Sequence, residues 1–517
     1  MNSKKHLLCT LMLLLVTLAA MAQDSPLYQG CRRGTPRPER THLRRAVAKD
    51  RAVGGDFYHG ERHQLTVLVA FNDRSFVGDE AATMAQWNKI FNAENLTEAP
   101  FMGSVHDYFY AQSYGKFNLV FDLQYVQVSG NAWKYASTQA DDENSQYLVQ
   151  DVMDVLKTRD IDWSRYDWNG DGYINQLLII YAGHGMHDSY EANLIWPHQW
   201  WMSEHLKDGQ SGIYCDPVPV SASGKDYLAD CYCAMAELTS YDDYGSFGTI
   251  CHEYTHCFGF PDFYSGKRCY VAGWDLMDYG IFNGDGYLPA GYSAHERWLM
   301  GWLTPIELKE QTAVADMPAL ADVPEAYLIR NDGYGNEYYM VENRQPRGWD
   351  AGLPGSGIVI FHIDYDPLIW TSVYETPNHP AVYGAGGVLV APAICRYSIV
   401  PANNFFAPYF SSSGIFISEL AYPYEGHGEL TNTSVPAATL NHANSDGTLL
   451  MNKPLTQMAV TSGLASFHFM DDLAALTPPT SPSAAPKPIY RIGPVTFLRF
   501  PDGTVRKQII INEKDRP

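Results

Sequence analysis

His252-Glu253-Tyr254-Thr255-His256-Cys257-Phe258-Gly259-Phe260-Pro261-Asp262 is the stretch on which the reading of this chain turns. His252 and His256 are four residues apart, so on a helix rising about 1.5 Å per residue their imidazoles leave the same face one turn apart. Two neutral imidazoles so placed can grip one zinc ion. Glu253, rotated by about 100° from His252, sits beside such an ion rather than on it. There its carboxylate can take a proton from zinc-bound water and deliver it to a leaving amine. Gly259 can adopt the left-handed conformation that ends a helix, letting the chain double back and bring Asp262 to the metal as third ligand. The next Glu after Glu253 and the next His after His256, Glu296 and His295, are about forty residues downstream on another predicted helix. A third ligand from there is the less economical arrangement.

Downstream, Gly273-Trp274-Asp275-Leu276-Met277-Asp278-Tyr279-Gly280 places Met277 among turn-forming Gly and Asp residues. It resembles the methionine turn beneath the zinc of metzincins, with core packing as the plain alternative. Tyr279 resembles the phenol that in some of those enzymes swings to the metal and stabilises the oxyanion. The combined pattern, His-Glu-x-x-His-x-x-Gly-x-x-Asp and then Trp-Asp-Leu-Met, resembles the immune inhibitor A type of secreted bacterial metallopeptidases. The likeness extends to Ser104–Phe109 with Ser113-Tyr114-Gly115-Lys116, to Ile195-Trp196-Pro197-His198, to Glu342-Asn343-Arg344-Gln345 and to Leu353–Asp364. It spans roughly residues 61–366 and implies a zinc endopeptidase acting on proteins or peptides outside the cell, without naming the substrate.

The first 22 residues agree with export: Lys4 and Lys5 precede an apolar run from Leu7 to Ala20, and Ala20-Met21-Ala22 offers a small-residue cleavage site. No other apolar run approaches a membrane span. The expected location is secreted, in the periplasm or at the cell surface. A formal net charge of −22 argues against nucleic acid or an anionic membrane surface as partner. Loss of Cys9 with the signal leaves eight cysteines, an even number that in an exported chain suggests disulfides. Cys231, Cys233, Cys251 and Cys257 crowd the zinc-helix segment; Cys251 and Cys257, six apart on one helix, should not pair with each other. Residues 23–60 carry Arg32, Arg33, Arg37, Arg40, Arg44, Arg45 and Arg51 and read as a removable pro-segment that an activating peptidase could cut. Cys31 within it either caps the zinc until cleavage or is a disulfide partner or an idle thiol.

Apolar periodicity divides the rest. Strands at Leu65–Phe71, Phe117–Val128 and Asn175–Ala182 alternate with helices at Ala81–Glu94 and Gln146–Leu156, followed by the zinc helix at about Gly248–Phe258 and a helix near Pro289–Met300. This predicts an α/β (α+β), metzincin-like catalytic domain over 61–305. From 306 to 472 short strands dominate, at 326–330, 338–342, 358–363, 387–391, 397–400, 414–418, 458–461 and 465–469. That pattern predicts an all-β, sandwich-like region packed on the catalytic domain. Residues 473–488 form a Pro/Ser/Ala linker, and 489–517 a tail read as two strands joined at Pro501-Asp502-Gly503. Asp167, Asn169 and Asp171, with the Tyr173 carbonyl, match the first half of a calcium loop. Leu178 stands where a helix-loop-helix site needs Glu, leaving a short calcium site or a plain Asp/Gly turn.

Two functions remain at this point. One is hydrolysis of extracellular protein through zinc-bound water activated by Glu253. The other is an extracellular binding or adhesion protein with a non-catalytic metal site; an intact Glu253 counts against it, because structural zinc needs no base.

Overall fold

A computed structural model describes residues 58–471, apart from 137–143, 190–192, 208–209, 211–212, 223–224, 246, 266–267, 371–375, 380–381, 384–388, 392–393 and 405–417, together with three strands between 487 and 509. The signal peptide, the pro-segment to residue 57, Cys31, the linker to residue 486 and most of the strand expected at 414–418 lie outside the described residues.

The first core is built on a five-stranded sheet. Its elements are β1 (Gly60–Ala70), β2 (Phe117–Gln127), β3 (Leu177–His184), β4 (His198–Trp201), the hairpin β5 (Val218–Ala222) and β6 (Lys225–Ala229), and β7 (Cys231–Leu238). Strand order in the sheet is β2-β1-β3-β7-β4. The pairs among β2, β1, β3 and β7 are parallel and only β4 runs antiparallel, along the β7 edge. Parallel neighbours need crossovers. Between β1 and β2 these are the helices Glu80–Asn92, capped by Asp79, and Val105–Gln112, closed by a reciprocal Ser104–Asp107 capping box. Between β2 and β3 the chain forms the helix Ser145–Leu156. β3 and β7 are buried almost throughout, which is why they read as continuous apolar runs rather than alternating ones.

The helix Phe247–Cys257 follows β7 and is buried on nearly every side. Tyr254 anchors its sheet-facing side, where its hydroxyl donates to Gln64 Oε1 (2.7 Å) and accepts from Gln176 Nε2 (2.9 Å). At its start a Cβ on Gly248 would meet the Ile281 carbonyl oxygen at 2.1 Å, so glycine lets the helix touch the following segment backbone to backbone.

Farther along, a second five-stranded sheet orders Tyr397–Ile399, Gly357–Asp364, Glu337–Arg344, Tyr327–Arg330 and Ile306–Glu307. Side chains alternate between two cores. Leu328, Tyr338, Met340, Val359, Phe361 and Ile363 join the core of the first sheet. Ile329, Tyr339, Val341, Ile358 and Ile360 meet Val314, Met458 and Phe467 of a three-stranded sheet. The period of two that marks a strand here serves two buried faces.

Two expectations are corrected. The helix foreseen over Pro289–Met300 is confined to Ala294–Leu299, because the preceding backbone is spent elsewhere. Ala290 N–H bonds Gly280, Gly291 N–H bonds Asp350, Tyr292 N–H bonds Gln112, and Ser293 caps the helix that follows. The tail holds three antiparallel strands, Lys487–Ile492, Val495–Arg499 and Val505–Ile509, with Gly493-Pro494 as the turn signal overlooked between the first two.

Candidate active site

The helix carrying His252 and His256 ends where Gly259 takes φ +98°, a value open to glycine and strained for other residues. The chain then turns back over the last helical turn, and ligand atoms of His252, His256 and Asp262 come within 4.8 Å of one another, all buried. Asp262 Oδ1 lies 3.3 Å from His252 Nε2 and 3.1 Å from His256 Nε2. His252 Nδ1 bonds the Leu276 carbonyl (2.9 Å) and His256 Nδ1 the Phe260 carbonyl (2.8 Å). A carbonyl only accepts, so each Nδ1 carries the hydrogen and each neutral imidazole turns an Nε2 lone pair toward a carboxylate oxygen. Three acceptors then converge with no proton between them, an arrangement a divalent cation would satisfy. The field there favours positive charge: burial opposes a charge on His252, yet Asp262 and Glu253 outweigh it and raise its pKa, a pull that a bound cation would answer in place of a proton. Glu253 is 1% exposed, and its Oε1 has no hydrogen-bond partner. An unsatisfied buried carboxylate oxygen is costly to keep, which marks it for a reacting group.

Beneath His252 lies the turn containing Met277. Asp275 Oδ1 accepts from Met277 N–H (2.8 Å), the Asp275 carbonyl accepts from Gly280 N–H (2.9 Å), and the Met277 carbonyl accepts from Phe263 N–H (2.8 Å). A Cβ at Gly280 would strike the Asp275 carbonyl oxygen at 2.3 Å. Met277 is wholly buried, and Leu276 supplies the carbonyl that orients His252. Asp278 Oδ2 gathers the N–H groups of Tyr270, Val271 and Ala272 while Oδ1 is buried without a partner. Burial pushes its pKa up to about 7 against the pull of those N–H groups.

A carboxyl with a raised folded-state pKa stabilises the fold most below its unfolded value near 4 and loses that contribution as pH rises to about 7. In chelator, so that metal uptake does not intrude, wild-type stability therefore carries a decline of about 1.4 kcal/mol per pH unit from this one group between pH 4 and 7. Asp278→Asn, whose amide mimics the protonated acid, should remove that component. Urea titrations across the range check this, and an unchanged slope in the variant would refute it.

Other expected site residues fall at varying distances from the cluster. Tyr279 is buried, with its ring 6.1 Å from that of Tyr264, and Tyr264, a phenol the sequence reading did not single out, stacks 6.3 Å from His252. His295 and Glu296 are not in the metal cluster. His295 packs on Tyr338 with its pKa lowered to about 3 by burial, and Glu296 closes a capping box with Ser293. At the calcium candidate, Asp167 accepts from Asp171 and Gly172 N–H, Asp171 accepts from Tyr173 N–H, and Asn169 donates to Asp171. These bonds describe a tight Asx-type turn.

Among the described residues the expected disulfides are absent, and none of the seven cysteines there is in one. Cys251 lies in the neighbourhood of Tyr108 and Tyr292, while Cys257 contacts Cys231 and Cys233 of β7. Burial raises the Cys251, Cys257 and Cys233 thiols, so they behave as small apolar side chains packed in the core. An even count was the only signal for pairing, and count does not report depth.

Residues 65–301 match the family described as immune inhibitor A peptidase M6, catalytic domain. Among curated proteins none matches the chain.

Proposed function

Because residues 65–301 belong to the immune inhibitor A peptidase family, we propose that this peptidase is a zinc-dependent endopeptidase of metzincin-like architecture acting on proteins outside the cell. The observation that carries the reading is the convergence of His252 Nε2, His256 Nε2 and Asp262 Oδ1, with the Glu253 carboxylate alongside. A zinc ion held by those three residues would polarise the scissile carbonyl and acidify the attacking water. Glu253 receives the proton from that water and returns it to the amine that leaves, serving as base and then as acid. Its burial keeps bulk water from competing for the proton. The carbonyls of Leu276 and Phe260 hold both imidazoles in the tautomer that presents Nε2. Tyr264 and Tyr279 form an aromatic wall on the His252 side, and a phenol from it is the donor assigned to the developing oxyanion. The basic start, apolar run and small-residue cleavage site of residues 1–22 support a reaction outside the cell.

Casein hydrolysis by the purified protein tests this directly. A strong chelator should abolish cleavage and one equivalent of zinc should restore it. Cleavage that survives complete zinc removal would overturn the proposal.

A further inference from the structure

The third ligand stands on a loop that the downstream sheet grips. Phe263, next to Asp262, is pinned at both ends of its residue: its N–H bonds the Met277 carbonyl (2.8 Å) and its carbonyl accepts from Asn378 Nδ2 (2.9 Å). Asn378 is fully buried and uses its whole amide. Nδ2 also donates to the Tyr397 carbonyl (2.8 Å), while Oδ1 accepts from the N–H groups of Arg396 (2.9 Å) and Tyr397 (3.0 Å). Tyr397 continues the clamp. Its ring stacks on Phe263 with centroids 3.8 Å apart, and its hydroxyl donates to Asp275 Oδ2 (2.9 Å) and lies 2.8 Å from Ser293 Oγ. Asp275 holds the turn whose Leu276 carbonyl orients His252.

We infer that Asn378 and Tyr397 are positioning residues for the metal, setting the placement of Asp262 and of the His252 carbonyl partner from more than a hundred residues away. The inference rests on the zinc reading above. Groups that orient ligands without touching the ion typically govern affinity by about 10–100-fold. Asn378 reaches the ligand through one backbone unit, so Asn378→Ala frees the Asp262–Phe263 loop directly. Tyr397→Phe keeps the stack on Phe263 and removes only the hydroxyl bond to Asp275.

The test is the zinc dissociation constant of the full chain, measured by competition with a chromophoric chelator using zinc alone. Visible absorption after cobalt substitution reports ligand geometry alongside it. Asn378→Ala should weaken zinc by about 10-fold or more and alter the cobalt spectrum, and Tyr397→Phe should weaken it by a smaller factor in the same direction. Tyr339→Phe serves as control: it loses a comparable buried hydroxyl bond, to the Thr439 carbonyl, in the other core and should leave zinc affinity unchanged. If Asn378→Ala does not fold, Tyr397→Phe decides. Wild-type affinity and spectrum in the folded variants would overturn the inference while zinc binding stands, an equal loss in Tyr339→Phe would reduce it to general destabilisation, and a wild-type chain that takes up no zinc would overturn both readings.

Discussion

Glu253→Gln is expected to reduce peptide hydrolysis by about 10³-fold or more while zinc remains bound at wild-type stoichiometry. Glutamine preserves the volume of a side chain that is 1% exposed, so the helix and its two imidazoles should stay in place. What it cannot do is accept a proton at the oxygen that now lacks a hydrogen-bond partner. General base catalysis alone is worth about 10²–10⁴-fold, and here the same carboxylate is also assigned the return of the proton to the leaving amine. The loss should therefore fall on kcat rather than on KM, since Glu253 is assigned to proton transfer and not to holding substrate. Steady-state kinetics on a defined peptide, with zinc quantified in the same preparation, gives the answer. Retention of more than a tenth of wild-type kcat would reassign the base to another group.

Arg344→Leu should destabilise the protein by about 3–5 kcal/mol, the largest stability effect we expect from one surface-remote substitution. Arg344 is wholly buried and makes a two-pronged contact with Asp350 (2.7 and 2.8 Å), a bond to Glu342 (2.9 Å) and another to the Gly291 carbonyl (3.0 Å). Burial alone would lower its pKa, but Asp350 and Glu342 more than reverse that, so it stays charged. Leucine removes the positive charge and leaves two carboxylates in the core without the guanidinium that pairs with both. The damage should extend to the helix Ala294–Leu299, because Glu342 also accepts its first N–H and Asp350 accepts from Gly291. Urea denaturation measures the loss. A second substitution, Asp350→Leu, should return part of the stability by removing one uncompensated charge. A single variant within 1 kcal/mol of wild type would show that this buried network relaxes without cost.

Much of the chain was legible because its signals are local. The short apolar run Leu65–Phe71 reads as a buried strand, and all of it but Phe71 forms the C-terminal part of Gly60–Ala70. The helix carrying His252 and His256 is foretold by a four-residue spacing and a glycine stop, and both appear at the expected residues. The capping sequence Ser104–Asp107 starts a helix as its chemistry predicts. By contrast, the short extent of the helix at Ala294 depends on backbone bonds to Gly280, Asp350 and Gln112, none of which is near it in sequence. The thiol state of the cysteines lies beyond local reading for a related reason, since parity carries no information on which side of a strand or helix a side chain faces.

By itself, then, the sequence determined which residues can bind a cation and which can move a proton, because those capacities follow from side-chain type and from a helical repeat that chemistry imposes within a single turn. Only the tertiary structure decided how these groups are held. It chose the imidazole tautomers through the carbonyls of Leu276 and Phe260, packed Tyr264 against both Tyr279 and His252, and brought Asn378 and Tyr397 against the Asp262 loop. Such contacts join residues from 4 to more than 120 positions apart. Most are fixed by how sheets and helices close on a shared core, a condition that no window along the chain contains.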